Sequence, residues 1–184
     1  MKRCQTNKEG AKMVVCGFPG VGKTYAVKHW NHPDYKIYDS DSSDFSWVDK
    51  NDHSKGRNPD FPMNYIEHIK SLDNDKSFVL VSSHKDVREA LRKASIDYFI
   101  VYPWLQVCNK DAYLKDRISQ RDTGINSDSF VKLLSDNWVT WIKEIDTEAT
   151  SPMFRFKLDN RTTLHEVLDV LVRNNGNKYI WRLQ

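Results

Sequence analysis

The chain has 184 residues, 39% of them hydrophobic, and a formal net charge of +3 at pH 7. That length suits one domain with a sizeable core. The near-neutral balance gives no reason to invoke nucleic acid or a membrane surface, and no apolar run is long enough to span a bilayer. Residues 1–12 are polar and charged, without the apolar centre of a signal peptide, so the expected location is the cytoplasm. Cys4, Cys16 and Cys108 are odd in number and widely spaced, which predicts reduced thiols. His32, His53, His68, His84 and His165 show no metal-ligand spacing with Cys, and no zinc site is expected.

The first predicted strand is the apolar run Met13-Val14-Val15-Cys16. It leads into Gly17-Phe18-Pro19-Gly20-Val21-Gly22-Lys23-Thr24, with the spacing G-x-x-x-x-G-K-T of a phosphate-binding P-loop. Glycines let the backbone curl with its N–H groups inward, as a nest for phosphate oxygens. The following helix start adds partial positive charge. Lys23 is placed to reach the β- and γ-phosphates, and the Thr24 hydroxyl to ligate magnesium. Gly17, Pro19, Gly20, Val21, Gly22, Lys23, Thr24 and Tyr25 are therefore the candidate nucleotide cradle.

The first helix is expected over Thr24–Trp30, stopped by Asn31-His32-Pro33. Tyr35–Tyr38 reads as a short second strand, running into Asp39-Ser40-Asp41. Those two carboxylates can serve a magnesium shell or a phosphoryl acceptor. They can equally be caps of a turn. Phe45 and Trp47 follow, able to stack on a base or simply to pack at the sheet edge. Asp49 to Asp60 is polar and turn-rich and reads as a mobile loop. Pro62 can open a helix carrying Met63, Ile66, Ile69 and Leu72.

Ser77–Ser83 is apolar without alternation, as a strand buried on both faces should be. It lacks the carboxylate that a motor ATPase would carry there. Lys85 and Arg88 open the next helix, His84–Ala94, where Arg88 is either an acceptor-anion ligand or a solvated helix charge. A fourth strand, Asp97–Tyr102, stops at Pro103. Asp111–Gln120 is helical, and Arg117 and Arg121 share one face of that region. Two such arginines can clamp a transferring phosphoryl group or merely keep the face solvated. A long helix is expected from Ser127 or Asp128 to about Thr147, with Phe130, Leu134, Trp138, Trp141 and Ile145 as its core stripe. Phe154–Leu158 alternates like an edge strand, and Thr163 with Glu166 forms a capping box before the last helix. Strands and helices alternate throughout, which predicts a three-layer α/β domain with a mainly parallel sheet and ligands at the strands' carboxyl ends.

The P-loop, the Asp39-Ser40-Asp41 element and the segment Tyr113-Leu114-Lys115-Asp116-Arg117-Ile118-Ser119-Gln120-Arg121 together resemble small P-loop kinases. That group includes the nucleoside-monophosphate, shikimate and gluconate kinases. Ser82 to Arg92 is similar to the gluconate-kinase segment after the third strand, and Tyr113 to Arg121 to the lid helix of the whole group. The resemblance spans about Met13 to Leu171. It implies one P-loop kinase domain over residues 1–184, with a short lid at about 110–127 and a five-stranded sheet ordered 2-3-1-4-5. It also implies ATP and Mg2+ as cofactors. Lys23 and Thr24 would serve them, Asp39 or Asp41 the acceptor side, Arg88 the acceptor anion, and Arg117 and Arg121 the lid. Asn160 and Arg161 would lie near adenine. The expected activity is γ-phosphate transfer to a small acceptor, foremost a nucleoside monophosphate. A polynucleotide 5′-end or a sugar acid is the alternative acceptor, and a nucleotide-binding regulator without turnover is the alternative class.

Overall fold

The structure is a computed structural model that describes residues 12–73, 75–118, 127–148 and 154–174. Five strands, β1 (Met13–Gly17), β2 (Lys36–Asp39), β3 (Ser77–Ser82), β4 (Tyr98–Pro103) and β5 (Phe154–Leu158), pair in parallel in the order β2-β3-β1-β4-β5. This is the order that the likeness to small P-loop kinases implies. Parallel neighbours need crossover connections. These come from α1 (Lys23–His29), α2 (Ser43–Ser46), α3 (Met63–Ser71), α4 (Lys85–Lys93), α5 (Lys110–Arg117) and α6 (Ser127–Thr147), while α7 (Leu164–Arg173) follows the last strand.

The burial of each strand follows its residue pattern. All of β4 and β3 from Ser77 to Val81 are buried, so helices must cover both faces of the sheet. Accordingly α1 packs with α7, α3 with α4, and α5 with α6. At the edge, β5 exposes Arg155 and Lys157 while its phenylalanines turn inward. The capping box is present, with Thr163 N–H donating to Glu166 Oε2 at 2.6 Å, and α7 buries Leu164, Val167, Leu168 and Leu171. Cys16 lies buried in β1, and burial pushes its thiol up to about 12, so it stays protonated beneath the loop.

Three local readings shift. The second strand begins one residue later than expected, because Tyr35 turns into the core and stacks on Phe78. Lys36 N–H then pairs with Lys76 O at 2.9 Å, and Asp39 becomes the last strand residue. The polar stretch from Asp49 to Asp60 is folded onto itself: Asp49, Asp52 and Asn58 each accept from the N–H two residues on, and Trp47 bridges Arg57 across the loop. On α6, Leu134, Trp138 and Ile145 are buried in the core as expected, while Phe130 and Trp141 are half-buried and pack against it.

Candidate active site

The P-loop forms where β1 ends between its two neighbours. Phe18 N–H donates to Val101 O of β4 at 2.9 Å, and Val21 O accepts from Leu164 N–H at 3.1 Å. Gly20 and Gly22 take φ of +84° and +97°, the left-handed region where a side chain is strained. At Gly20 a Cβ would also lie 2.6 Å from Ile118 Cδ1 and 2.9 Å from Tyr113 Cε1. The Tyr113 hydroxyl donates to Pro19 O at 2.8 Å, tying α5 to the loop. Lys23 folds back along the loop and donates from Nζ to Gly17 O at 3.2 Å. Thr24 is exposed at the start of α1, and Tyr25 stacks on His29 at 4.0 Å.

Asp39 is exposed at the carboxyl end of β2, two strands from β1, a lateral separation of roughly 10 Å. Asp41 Oδ1 accepts from Ser43 N–H at 3.0 Å, so this carboxylate caps the turn into α2 as well as facing solvent. Among the described residues no three His, Cys, Asp or Glu side chains group into a ready-made metal site. Magnesium beside phosphates needs only one or two carboxylates and keeps several waters. Asp39 and Thr24, both exposed on the sheet's carboxyl side, are the residues whose oxygens would suit such an ion.

The aromatic pair after Asp41 is committed to packing. Phe45 lies against Tyr65 at 5.0 Å and His68 at 4.7 Å. Trp47 stacks on His53 at 4.0 Å, and the Arg57 guanidinium sits 4.2 Å from the same ring.

A cleft of about 250 Å³ opens beside the P-loop. Phe18 and Pro19 form one wall, Ser83 to Asp86 the second, and Trp141, Glu144 and Ile145 of α6 the third. Arg88 reaches it from below. Its side chain is 3% exposed and already spoken for. Nε donates to both Glu148 oxygens at 3.0 and 3.1 Å, Nη2 to Glu144 Oε1 at 2.7 Å and Glu148 Oε1 at 2.5 Å, and Nη1 to Ser83 O. Burial opposes its charge, but the two carboxylates more than offset that, and the pKa stays above the ordinary value. Both expected roles, acceptor anchor and solvated charge, give way here to a buried ion-pair cluster joining α4 to α6.

His84 was not expected at the site, yet it forms part of the cleft wall. The residue keeps an exposed edge, and its pKa is lowered, first because the surrounding protein displaces water from the ring, then by Arg57, Lys23 and Arg88, with Asp86 opposing them. At this ring the positive charges of Arg57, Lys23 and Arg88 outweigh the opposing Asp86 carboxylate. Protonation is harder in the folded than in the unfolded chain, so stability from the neutral ring is present above 6.5 and lost as pH falls through that value and the lower folded pKa. We expect the wild type to lose more thermal stability below neutrality than His84→Asn does. A bound polyphosphate should raise the His84 pKa, which proton NMR of the ring would follow with and without ATP. Equal acid sensitivity of the two proteins would contradict this placement.

The arginine of α5 faces the loop after β5. Arg117 Nη2 donates to Asn160 O at 2.7 Å and Thr162 O at 3.0 Å, and its guanidinium lies 5.2 Å from the Tyr113 ring. Asn160 in turn accepts from Asn109 N–H at 2.6 Å and donates to Asn109 O at 3.0 Å. The structure thus brings Arg117, Asn160 and Arg161 to one end of the site, with Arg161 exposed. Arg121 and residues 119–126 of the expected lid lie outside the described residues. Sequence reasoning missed Arg57, His84, Trp141 and Glu144. For the last two, the three-residue spacing of an aromatic and a carboxylate on one helix was the available signal.

No helix among the described residues is long and apolar enough to cross a membrane. No protein-family model and no curated protein matches the chain. Among solved structures it is similar to shikimate kinase from Bacteroides thetaiotaomicron, at 11% identity, over 90% of this chain and 97% of that one, with a TM-score of 0.44.

Proposed function

We propose that this protein is an ATP- and magnesium-dependent phosphotransferase that moves the γ-phosphate to a nucleoside monophosphate. One observation supports this above the others. The glycine-rich loop closes at the carboxyl edge of the parallel sheet with Lys23 folded over it, directly beside a cleft sized for a small acceptor. The loop backbone and Lys23 bind the polyphosphate. Thr24 and Asp39 hold the magnesium ion, which when bound neutralises charge on the transferring group. Asp41, alongside Asp39, serves the acceptor side of the metal shell. Lys23 and Arg57 supply the positive potential that meets the acceptor's phosphate near His84. Arg117 acts by positioning: its bonds to Asn160 O and Thr162 O order the loop on which the nucleotide's base rests. Arg121 belongs to the lid in this reading, closing over the phosphates to exclude water.

Asp39→Asn tests the reading. Carboxylate help in the transition state predicts that turnover falls about a hundredfold while ATP affinity changes little. Asp41→Asn should fall less, since its Oδ1 is partly spent on Ser43 N–H. Steady-state kinetics and ATP titration on both variants read this out. Wild-type kinetics in both would remove these acids from the mechanism.

A further inference from the structure

The proposed reaction leaves one wall of the cleft without a role. Trp141 and Glu144 lie on the same face of α6, one turn apart, and both line the cleft. Trp141 is half-buried, and among the described residues no ring or guanidinium lies on it. The other two aromatic candidates, Phe45 and Trp47, are covered by their own neighbours. Trp141 packs against the core on one side and lines the cleft with the part of its ring that stays exposed.

Glu144 is held in place from below. Arg88 Nη2 donates to its Oε1 at 2.7 Å, and Arg88 itself is buried. The Glu144 side chain is 34% exposed, and its Oε2 accepts no bond among the described residues. The cleft thus presents a fixed carboxylate beside a flat aromatic face. Two carboxylates share the Arg88 charge, so no positive surplus remains to attract an anionic head group at this end. The end near Pro19 and His84 carries the positive potential instead.

On the reading of a monophosphate acceptor, this polarity sets the molecule's direction and its base. Phosphate lies toward the P-loop and the base toward α6. A carboxylate accepts hydrogen bonds and offers none. Guanine presents two adjacent donors, N1–H and the 2-amino group. Adenine and cytosine pair their amino group with a ring-nitrogen acceptor, and thymine flanks its one N–H with two carbonyls that repel a carboxylate. We infer that Trp141 and Glu144 recognise the base of the acceptor, and that this base is guanine. Arg88 is then a positioning residue that holds the Glu144 carboxylate in the right plane.

The test is kcat/KM with ATP and magnesium for GMP, IMP, AMP, CMP and TMP. Wild type, Glu144→Gln, Trp141→Phe and Trp141→Ala are compared, with thermal unfolding of each. GMP should be best, IMP, which lacks the 2-amino group, about tenfold worse, and the others about a hundredfold worse. Glu144→Gln should abolish the GMP preference mainly through KM and leave AMP almost unchanged. Trp141→Ala should raise KM about tenfold, and Trp141→Phe should restore most of it. Should a variant fail to fold, the wild-type GMP-to-IMP ratio still decides. Transfer to monophosphates without a guanine preference, or a preference that survives in Glu144→Gln, overturns this inference and leaves the phosphotransferase reading standing. Transfer to no monophosphate overturns this inference and the monophosphate acceptor together.

Discussion

Lys23→Ala should lose phosphoryl transfer by at least about a thousandfold, at the upper end of the cost of one preorganised charge donor. Its fold should survive. Lys23 is half-buried at the start of α1, and its Nζ donates to Gly17 O at 3.2 Å. A surface change of this kind usually alters stability by no more than about 0.5 kcal/mol. Glycines at 20 and 22 hold the loop's shape without the lysine, because φ of +84° and +97° is free to them. Turnover and thermal unfolding measured on one preparation separate the two effects. A folded variant with near-normal turnover would remove Lys23 from the chemistry.

Arg88→Met should be strongly destabilising. The substitution leaves Glu144 and Glu148 facing one another in a site built around a cation. Removing one partner from a buried pair typically costs about 3–5 kcal/mol. For a chain of this size that corresponds to a fall in Tm of roughly 10 °C. Arg92, which donates to Glu148 Oε2 at 3.1 Å, relieves only part of it. Replacing Arg88, Glu144 and Glu148 together by apolar residues should recover much of the loss, since the whole cluster carries its own desolvation cost. An unchanged Tm in Arg88→Met would mean that the cluster does not join α4 to α6 as described.

These two residues also mark how far the sequence could be read. The loop that carries Lys23 was legible because it is local: strand, glycine turn and helix start lie in one short run, and each constrains the next. β3 and β4 were legible for a similar reason, as strands covered on both faces have no polar alternation to hide them. The capping box at Thr163 and Glu166 is local too. Arg88 was not legible, because its partners are 56 and 60 residues away and only the fold brings them close. On the helix pattern alone, a solvated charge and a buried hub look alike. Trp47 is a second instance. A tryptophan beside two aspartates suggests an open stacking surface, and only the bridge to Arg57 shows that the loop folds back and covers it. Trp141 is the converse, since the periodicity that put it in the core stripe is right for α6 as a helix. It cannot tell that P-loop and β3 loop leave a gap opposite that one position.

The central claim is that this fold transfers phosphate from ATP to a small acceptor. The most direct measurement is the movement of label from γ-labelled ATP onto a nucleoside monophosphate, with magnesium and again with excess chelator. The account predicts labelled nucleoside diphosphate formed in step with ADP, abolished by chelation and absent in Lys23→Ala. Tight ATP binding with no label leaving ATP for any monophosphate, sugar acid or 5′-hydroxyl oligonucleotide would contradict it.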